Sequence, residues 1–299
     1  MKTRNPAIAG QAALFATALL WGTSFVILKH TLDSVGTLWI LAIRFTLAAL
    51  FLGFFAGKRL FRLPRLQLRG AVLMGVSLAA AYILQTFGLF YTTPGKNAFL
   101  TAVYCVLVPF LAWGFYRRRP GLQHVLAALL CLAGIGLVSL SGLDTGFNRG
   151  DVLTLLCGVF YALQIVIVEQ YGGPDSDALS MSVVQFTVAA LICWAGALPL
   201  GPVPVNVPAG AWLSIAYMGV VCTGLCFFLE AWGMKVTPSS TASVILTLES
   251  VFGTLTSILF CQEQVTGRLL CGFALIFVSV LLAETGLGLR RKKRSQSSE

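Results

Sequence analysis

The sequence predicts an all-α integral membrane protein of ten transmembrane helices, built as two inverted five-helix repeats. Three observations predict it. Hydrophobic residues fill 57% of the 299 positions and charged residues only 11%, about half the charged share of a soluble domain. The apolar runs are unbroken, without the alternation of barrel strands, and about 20 residues long, the length that crosses a bilayer as a helix. Segments of the first half also recur, in the same order, in the second.

In chain order the spans fall at about 8–28, 36–57, 70–91, 97–116, 121–141, 151–170, 180–200, 209–229, 239–260 and 266–287. The first follows Lys2 and Arg4 and contains Ala16-Thr17-Ala18, which imitates a secretory cleavage site. Its apolar run continues to Leu28, beyond the roughly 7–15 residues of a signal core. Arg117-Arg118-Arg119-Pro120 closes the fourth span, and Gly201-Pro202 with Pro204 and Pro208 closes the seventh. An even count puts both termini on one side. Placing them in the cytoplasm puts sixteen of the 21 Lys and Arg residues there: Lys2, Arg4, Lys58, Arg59, Arg62, Arg65, Arg69, Arg117, Arg118, Arg119, Lys235 and the tail's Arg290, Arg291, Lys292, Lys293 and Arg294. Lys29, Lys96, Arg149 and Arg268 remain outside, and Arg44 lies within the second span. This is the positive-inside pattern of a multi-pass membrane protein with both termini in the cytoplasm, and it comes mainly from the first half and the tail.

The third and eighth spans end alike. Tyr82-Ile83-Leu84-Gln85-Thr86-Phe87-Gly88 matches Phe227-Phe228-Leu229-Glu230-Ala231-Trp232-Gly233 at a displacement of 145, and Thr93-Pro94 matches Thr237-Pro238 at 144. Leu19-Leu20-Trp21-Gly22-Thr23-Ser24-Phe25 matches Leu155-Leu156-Cys157-Gly158-Val159-Phe160-Tyr161 at 136. The expected units are residues 1–145 and 146–289, followed by a basic cytoplasmic tail, 290–299. Five spans per unit is odd, so the second unit enters the membrane from the opposite side. Inverted repeats of this kind underlie alternating access, which points to transport.

The net charge of +10 sits in short clusters between apolar runs, not in a stripe, so no nucleic-acid partner is expected. All eight cysteines fall inside apolar runs, as small packing residues; no disulfide, metal or cofactor is expected. There is no HExxH, GxSxG or Walker loop. Asp33, Asp144, Asp151, Asp175 and Asp177 lie in loops or at span ends, and His30 and His124 lie near opposite faces. An enzyme is therefore not expected, and movement without a nucleotide site is facilitated or ion-coupled.

Trp21-Gly22-Thr23-Ser24-Phe25, Arg44-Phe45, Gln85 with Gly88-Leu89-Phe90-Tyr91-Thr92, Asn97-Ala98-Phe99-Leu100-Thr101 and Val108-Pro109 stand in order in the first half. Ala242-Ser243, Leu248-Glu249-Ser250-Val251-Phe252 and Gln262-Glu263 follow in the second. In this order the chain resembles the drug/metabolite transporter superfamily, of the ten-helix EamA-like type. The resemblance covers both halves and implies movement of metabolites, amino acids or drugs, usually outward. The family pattern carries proline where Ser250 stands, so the ninth helix is expected to be straighter here.

Polar groups at membrane depth are the candidates for a substrate site. Arg44 costs roughly 2.5–3.5 kcal/mol at a helix centre, so it should face protein or a water-filled cavity, either attracting a substrate carboxylate or pairing structurally. Glu249, mid-span in the ninth helix, is suited to carrying a proton, binding a cationic group or pairing with Arg44. Trp21, Thr23 and Ser24 in the first span, and Tyr161 and Gln164 in the sixth, supply aromatic walls with polar anchors. Tyr82, Gln85, Tyr104, Gln185 and Tyr217 complete the set. Glu230 is expected to snorkel to the interface, and Lys96 to be a solvated lysine at the outer mouth. Gly53 and Gly57 form a GxxxG that suits either a homodimer contact or packing within the bundle. The expected function is secondary export of a small metabolite, an amino acid or related zwitterion, with protons as a candidate coupling ion. An efflux carrier of cationic drugs and a non-transporting scaffold are the alternatives.

Overall fold

Helices apolar on every face have no solvent side of their own, so they bury some residues against one another and leave the rest to lipid. A computed structural model describes residues 6–117, 119–139, 148–172, 176–200, 204, 206–237, 239–264 and 266–295. Lys2, Arg4, Arg118, Asp144, Asp175, Gly201-Pro202 and Pro238 lie outside the described residues, as do the side chains of Ser243 and of Arg290 to Arg294. The first three spans are α1 (Pro6–Thr31), α2 (Thr37–Ala56) and α3 (Arg65–Tyr91). The fourth is broken into α4 (Pro94–Thr101) and α5 (Tyr104–Tyr116), and the fifth is α6 (Leu122–Ser139). The second half runs α7 (Arg149–Tyr171), α8 (Ala178–Ala197), α9 (Ala209–Tyr217), a π-helical stretch Met218–Leu225, α10 (Cys226–Val236), α11 (Ser239–Cys261) and α12 (Gly267–Ser295). Eight of these helical stretches are long and apolar enough to cross a membrane, and Leu122–Val138 and Gly267–Ala283 are shorter apolar segments.

Local chemistry sets the ends. Gly57, with a φ of 52°, closes α2 by giving its N–H to the Gly53 carbonyl, a conformation that favours glycine. Thr93 caps α4 with Pro94 as its first residue, and Asn148 with Asp151 makes a capping box at the start of α7. Pro109 interrupts the hydrogen-bond ladder inside α5, whereas α11 continues through Ser250.

The most extensive helix contacts are α3 with α7, α2 with α8, α1 with α11, and α6 with α12. Every one joins the first half to the second. The contacts also obey a two-fold exchange of halves. Phe45 and Phe186 stack on each other at 6.0 Å; Phe45 meets Tyr82 edge-on at 5.1 Å, and Phe186 meets Phe227 edge-on at 4.9 Å. Trp21 on Phe227 (5.4 Å) is matched by Tyr161 on Tyr82 (5.6 Å). Gly134 and Gly272 face each other's carbonyls so closely that a Cβ on either would stand 2.9 Å from the other's oxygen.

These pairs correct one register. Trp21 corresponds to Tyr161 and Gly10, packed on Gly233, to Gly150, packed on Gly88. The displacement is 140, not the 136 expected from sequence. A slip of four residues is about one helical turn and keeps the same face, so apolar sequence alone does not fix it. Gly53 points to Val183 of α8, within the bundle.

Candidate functional site

The Phe45–Phe186 stack stands at the centre of the bundle, and the sequence candidates gather round it. Arg44, the residue before Phe45 on α2, is 3% exposed. Its Nε donates to Thr223 Oγ1 (2.7 Å), and its guanidinium lies over the Tyr82 ring, 4.9 Å from the centroid. Neither terminal nitrogen has a partner among the described residues. Tyr161 lies edge-on to Tyr82, and its hydroxyl donates to Gln85 Oε1 (3.1 Å); Tyr104 lies 5.9 Å from Tyr161. Gln85 continues the chain through Nε2 to Thr101 Oγ1 (3.0 Å). The structure thus brings Arg44, Tyr82, Gln85, Tyr104 and Tyr161 into one polar and aromatic group.

Glu249 of α11 lines a narrow space with Thr101, Tyr104, Cys105 and Ser250. It forms no ion pair with Arg44 and no hydrogen bond to another described residue, but both Glu230 and Arg44 lie within its electrostatic reach. A guanidinium and a carboxyl without an ion pair among the described residues therefore face the same interior. Glu230 is on the face of α10 that packs on α1, between Cys226, whose carbonyl meets Thr17 Oγ1 at 3.5 Å, and Gly233 beside Leu14. It does not snorkel outward, contrary to expectation, because Cys226, Glu230 and Gly233 share one helix face.

The remaining candidates frame this group. Trp21 Nε1 donates to the Cys222 carbonyl (2.6 Å). Thr23 and Ser24 return their hydroxyls to the Leu20 and Trp21 carbonyls of their own helix, and Tyr217 interacts with Thr23. Gln164 donates to Gln185 Oε1 (3.3 Å).

One end of the bundle is closed by polar contacts. Lys96 is 2% exposed and pairs with Asp151 at 2.8 Å; the other oxygen of Asp151 accepts from Thr92 (2.8 Å). Lys96 is thus no solvated loop lysine: Thr93 starts α4 below the surface and carries it against α7. Asn97 donates to Thr154 (2.8 Å) and to the Gln85 carbonyl (3.2 Å). Lys29 Nζ caps α3 through the carbonyls of Leu89, Phe90 and Thr92. Glu263 accepts from Thr93, from the Gly95 N–H (3.2 Å) and from Ser257. At the opposite end a cleft of about 120 Å³ opens between α2, α8 and α10, lined by Leu52, Leu179, Ser182, Phe227, Trp232 and Lys235 among others.

The polar seal was not legible because its main pairs, Lys96 and Thr92 with Asp151 and Asn97 with Thr154, lie 55 or more residues apart, in segments that individually look like loop ends. A pattern of polar residues immediately after Thr-Pro was the available signal.

The EamA-like transporter family matches residues 8–140 and again residues 148–285. The displacement of 140 between the two starts is the one given by the Trp21–Tyr161 and Gly10–Gly150 correspondences. An uncharacterised transporter of Archaeoglobus fulgidus is 30% identical over 270 residues, 90% of this chain and 83% of that protein. The biotin transporter of Salmonella typhimurium is 22% identical, with 85% of each chain covered. A solved crystal structure of 18% identity superposes with a TM-score of 0.67 over 92% of this chain and 96% of that one, which is a likeness of fold.

Proposed function

Because the chain belongs to the EamA-like transporter family and is a multi-pass membrane protein, we propose that it carries amino acids or related zwitterions outward across a cell membrane by alternating access. The membrane is the cytoplasmic (inner) one, with both termini in the cytoplasm. The observation that carries this reading is a guanidinium and a carboxyl that make no ion pair among the described residues, Arg44 and Glu249, beside the rings of Tyr82, Tyr104 and Tyr161. A zwitterion offers a carboxylate to Arg44 and an ammonium to Glu249, while the rings accept an apolar side chain. In this orientation the Lys96–Asp151 end is extracytoplasmic and the cleft beside Lys235 opens inward. That asymmetry suits loading from the cytoplasm and supports export. Protons are the proposed coupling ion, with Glu249 as their site. The relative that moves biotin, itself a carboxylate, is compatible with the role given to Arg44.

The test is uptake of radiolabelled amino acids and amines into proteoliposomes, with and without unlabelled solute inside. Saturable uptake accelerated by internal solute is expected. Arg44→Ala and Glu249→Ala should each lower it by about 10- to 100-fold, the worth of a charge-assisted hydrogen bond. Unchanged transport in both folded variants would refute the charged site.

A further inference from the structure

Within the third and eighth spans the two halves differ by one residue. Met74-Gly75-Val76 of α3 recurs as Met218-Gly219-Val220 at a displacement of 144, and both glycines pack against the paired second and seventh spans: Gly75 on the Gln185 carbonyl, Gly219 on the Arg44 carbonyl. By Tyr82 and Phe227, which hold equivalent places beside Phe45 and Phe186, the displacement is 145. The second half therefore carries a single extra residue between Val220 and Phe227. The backbone there is π-helical over Met218–Leu225, while α3 is an unbroken α-helix. A one-residue insertion accommodated as a π turn is the expected form of such a feature, and such turns concentrate at functional sites.

The extra residue changes what the helix offers. Thr223 gives its hydroxyl proton to the Met218 carbonyl five residues back (2.8 Å), so its oxygen is directed at Arg44, whose Nε donates to it at 2.7 Å. Cys222 leaves its carbonyl to the Trp21 indole. Thr223 is fully buried, and at the displacement of 145 its counterpart in α3 is Leu78. Leu78 carries no hydroxyl, and the nearest one in α3 is that of the buried Ser77, one residue away.

We infer that the π turn is a specificity device: Thr223 fixes the Arg44 guanidinium by its Nε so that both terminal nitrogens are left as a fork for a carboxylate. The inference rests on the reading of Arg44 as the carboxylate site. With Nε anchored, the plane of the guanidinium is set, and the free edge matches the two oxygens of one carboxylate. Thr223 is a positioning residue, acting through Arg44.

The experiment compares wild type, Thr223→Val, Thr223→Ser and Arg44→Ala in proteoliposomes, using the common L-amino acids and their decarboxylated amines as probes. Valine keeps the shape and removes the acceptor. Thr223→Val should raise KM for the transported amino acid about tenfold with Vmax held within about twofold, and the preference for the acid over its amine should fall by the same factor. Thr223→Ser should restore both. A Thr223→Val protein with wild-type KM, while Arg44→Ala has lost transport, would overturn the inference and leave the charged site standing. A fall in Vmax without a change in KM or in acid preference would mark Thr223 as merely structural and also overturn it. Transport indifferent to Arg44→Ala, or no amino acid moved by wild type, would remove the premise and the inference together.

Discussion

Asp151→Asn tests the closed end of the bundle. The Lys96–Asp151 pair is 2.8 Å long, and both side chains are at most 3% exposed. Removing one partner of a buried pair costs about 3–5 kcal/mol, because the surviving charge stays in a dry site. Asparagine keeps the size of the side chain and an oxygen for the Thr92 hydroxyl, so most of the local capping survives. The deficit is then that of an unneutralised Lys96, about 3 kcal/mol, or a melting temperature lower by roughly 5 °C for a chain of this size. Thermal denaturation in detergent micelles, followed by tryptophan fluorescence and checked by size exclusion, measures it. Lys96→Met should lose a similar amount. The double variant, with no charge left, should melt higher than either single one, a coupling of at least about 2 kcal/mol. Single variants within about 2 °C of wild type, or a double variant that loses the sum of the two, would refute the buried pair as a stabilising contact.

Further outcomes follow from the packing. Gly150→Ala places a Cβ 2.5 Å from the Gly88 carbonyl and should destabilise by about 1–3 kcal/mol, whereas Gly136→Ala meets nothing within 4 Å and should be neutral or gain up to about 1 kcal/mol, both read by the same melting assay. Trp21→Phe keeps the ring against Phe227 but loses the 2.6 Å bond to the Cys222 carbonyl; uptake should weaken severalfold, and a wild-type rate would remove Trp21 from the site. Lys29→Met strips one side-chain donor from three carbonyls at the end of α3 and should lower stability by about 1–2 kcal/mol in a denaturation series. Equal stability would show that water replaces the ammonium there.

Fold class was legible because lipid leaves few alternatives: long apolar runs must become helices, and recurring sequence revealed the halves. Arg44, Tyr82, Gln85, Tyr104 and Tyr161 were legible as polar or aromatic residues at membrane depth, and they do converge. What sequence could not give was register and partnership. Trp21 was matched to Cys157 when its counterpart is Tyr161, since one turn of slip in an apolar helix looks the same. Thr223 was invisible because a π turn has no composition of its own; only comparison of Met74-Gly75-Val76 with Met218-Gly219-Val220 exposes the extra residue. Lys96 and Asp151 each looked like a loop charge, and only the approach of α4 to α7 makes them a pair.

The interleaving of the halves has a consequence for how the chain is made. When the first five spans have left the ribosome, the faces of α1, α2, α3 and α6 that carry the most extensive contacts still await partners not yet synthesised. The first half carries most of the basic loop residues expected to set orientation during insertion, and the second half carries few before the tail, 290–299. Spans α7 to α12 therefore take their orientation from a template already in the bilayer as much as from their own loops. Expressed as two separate polypeptides, the second half should reach its native orientation only in cells that also make the first.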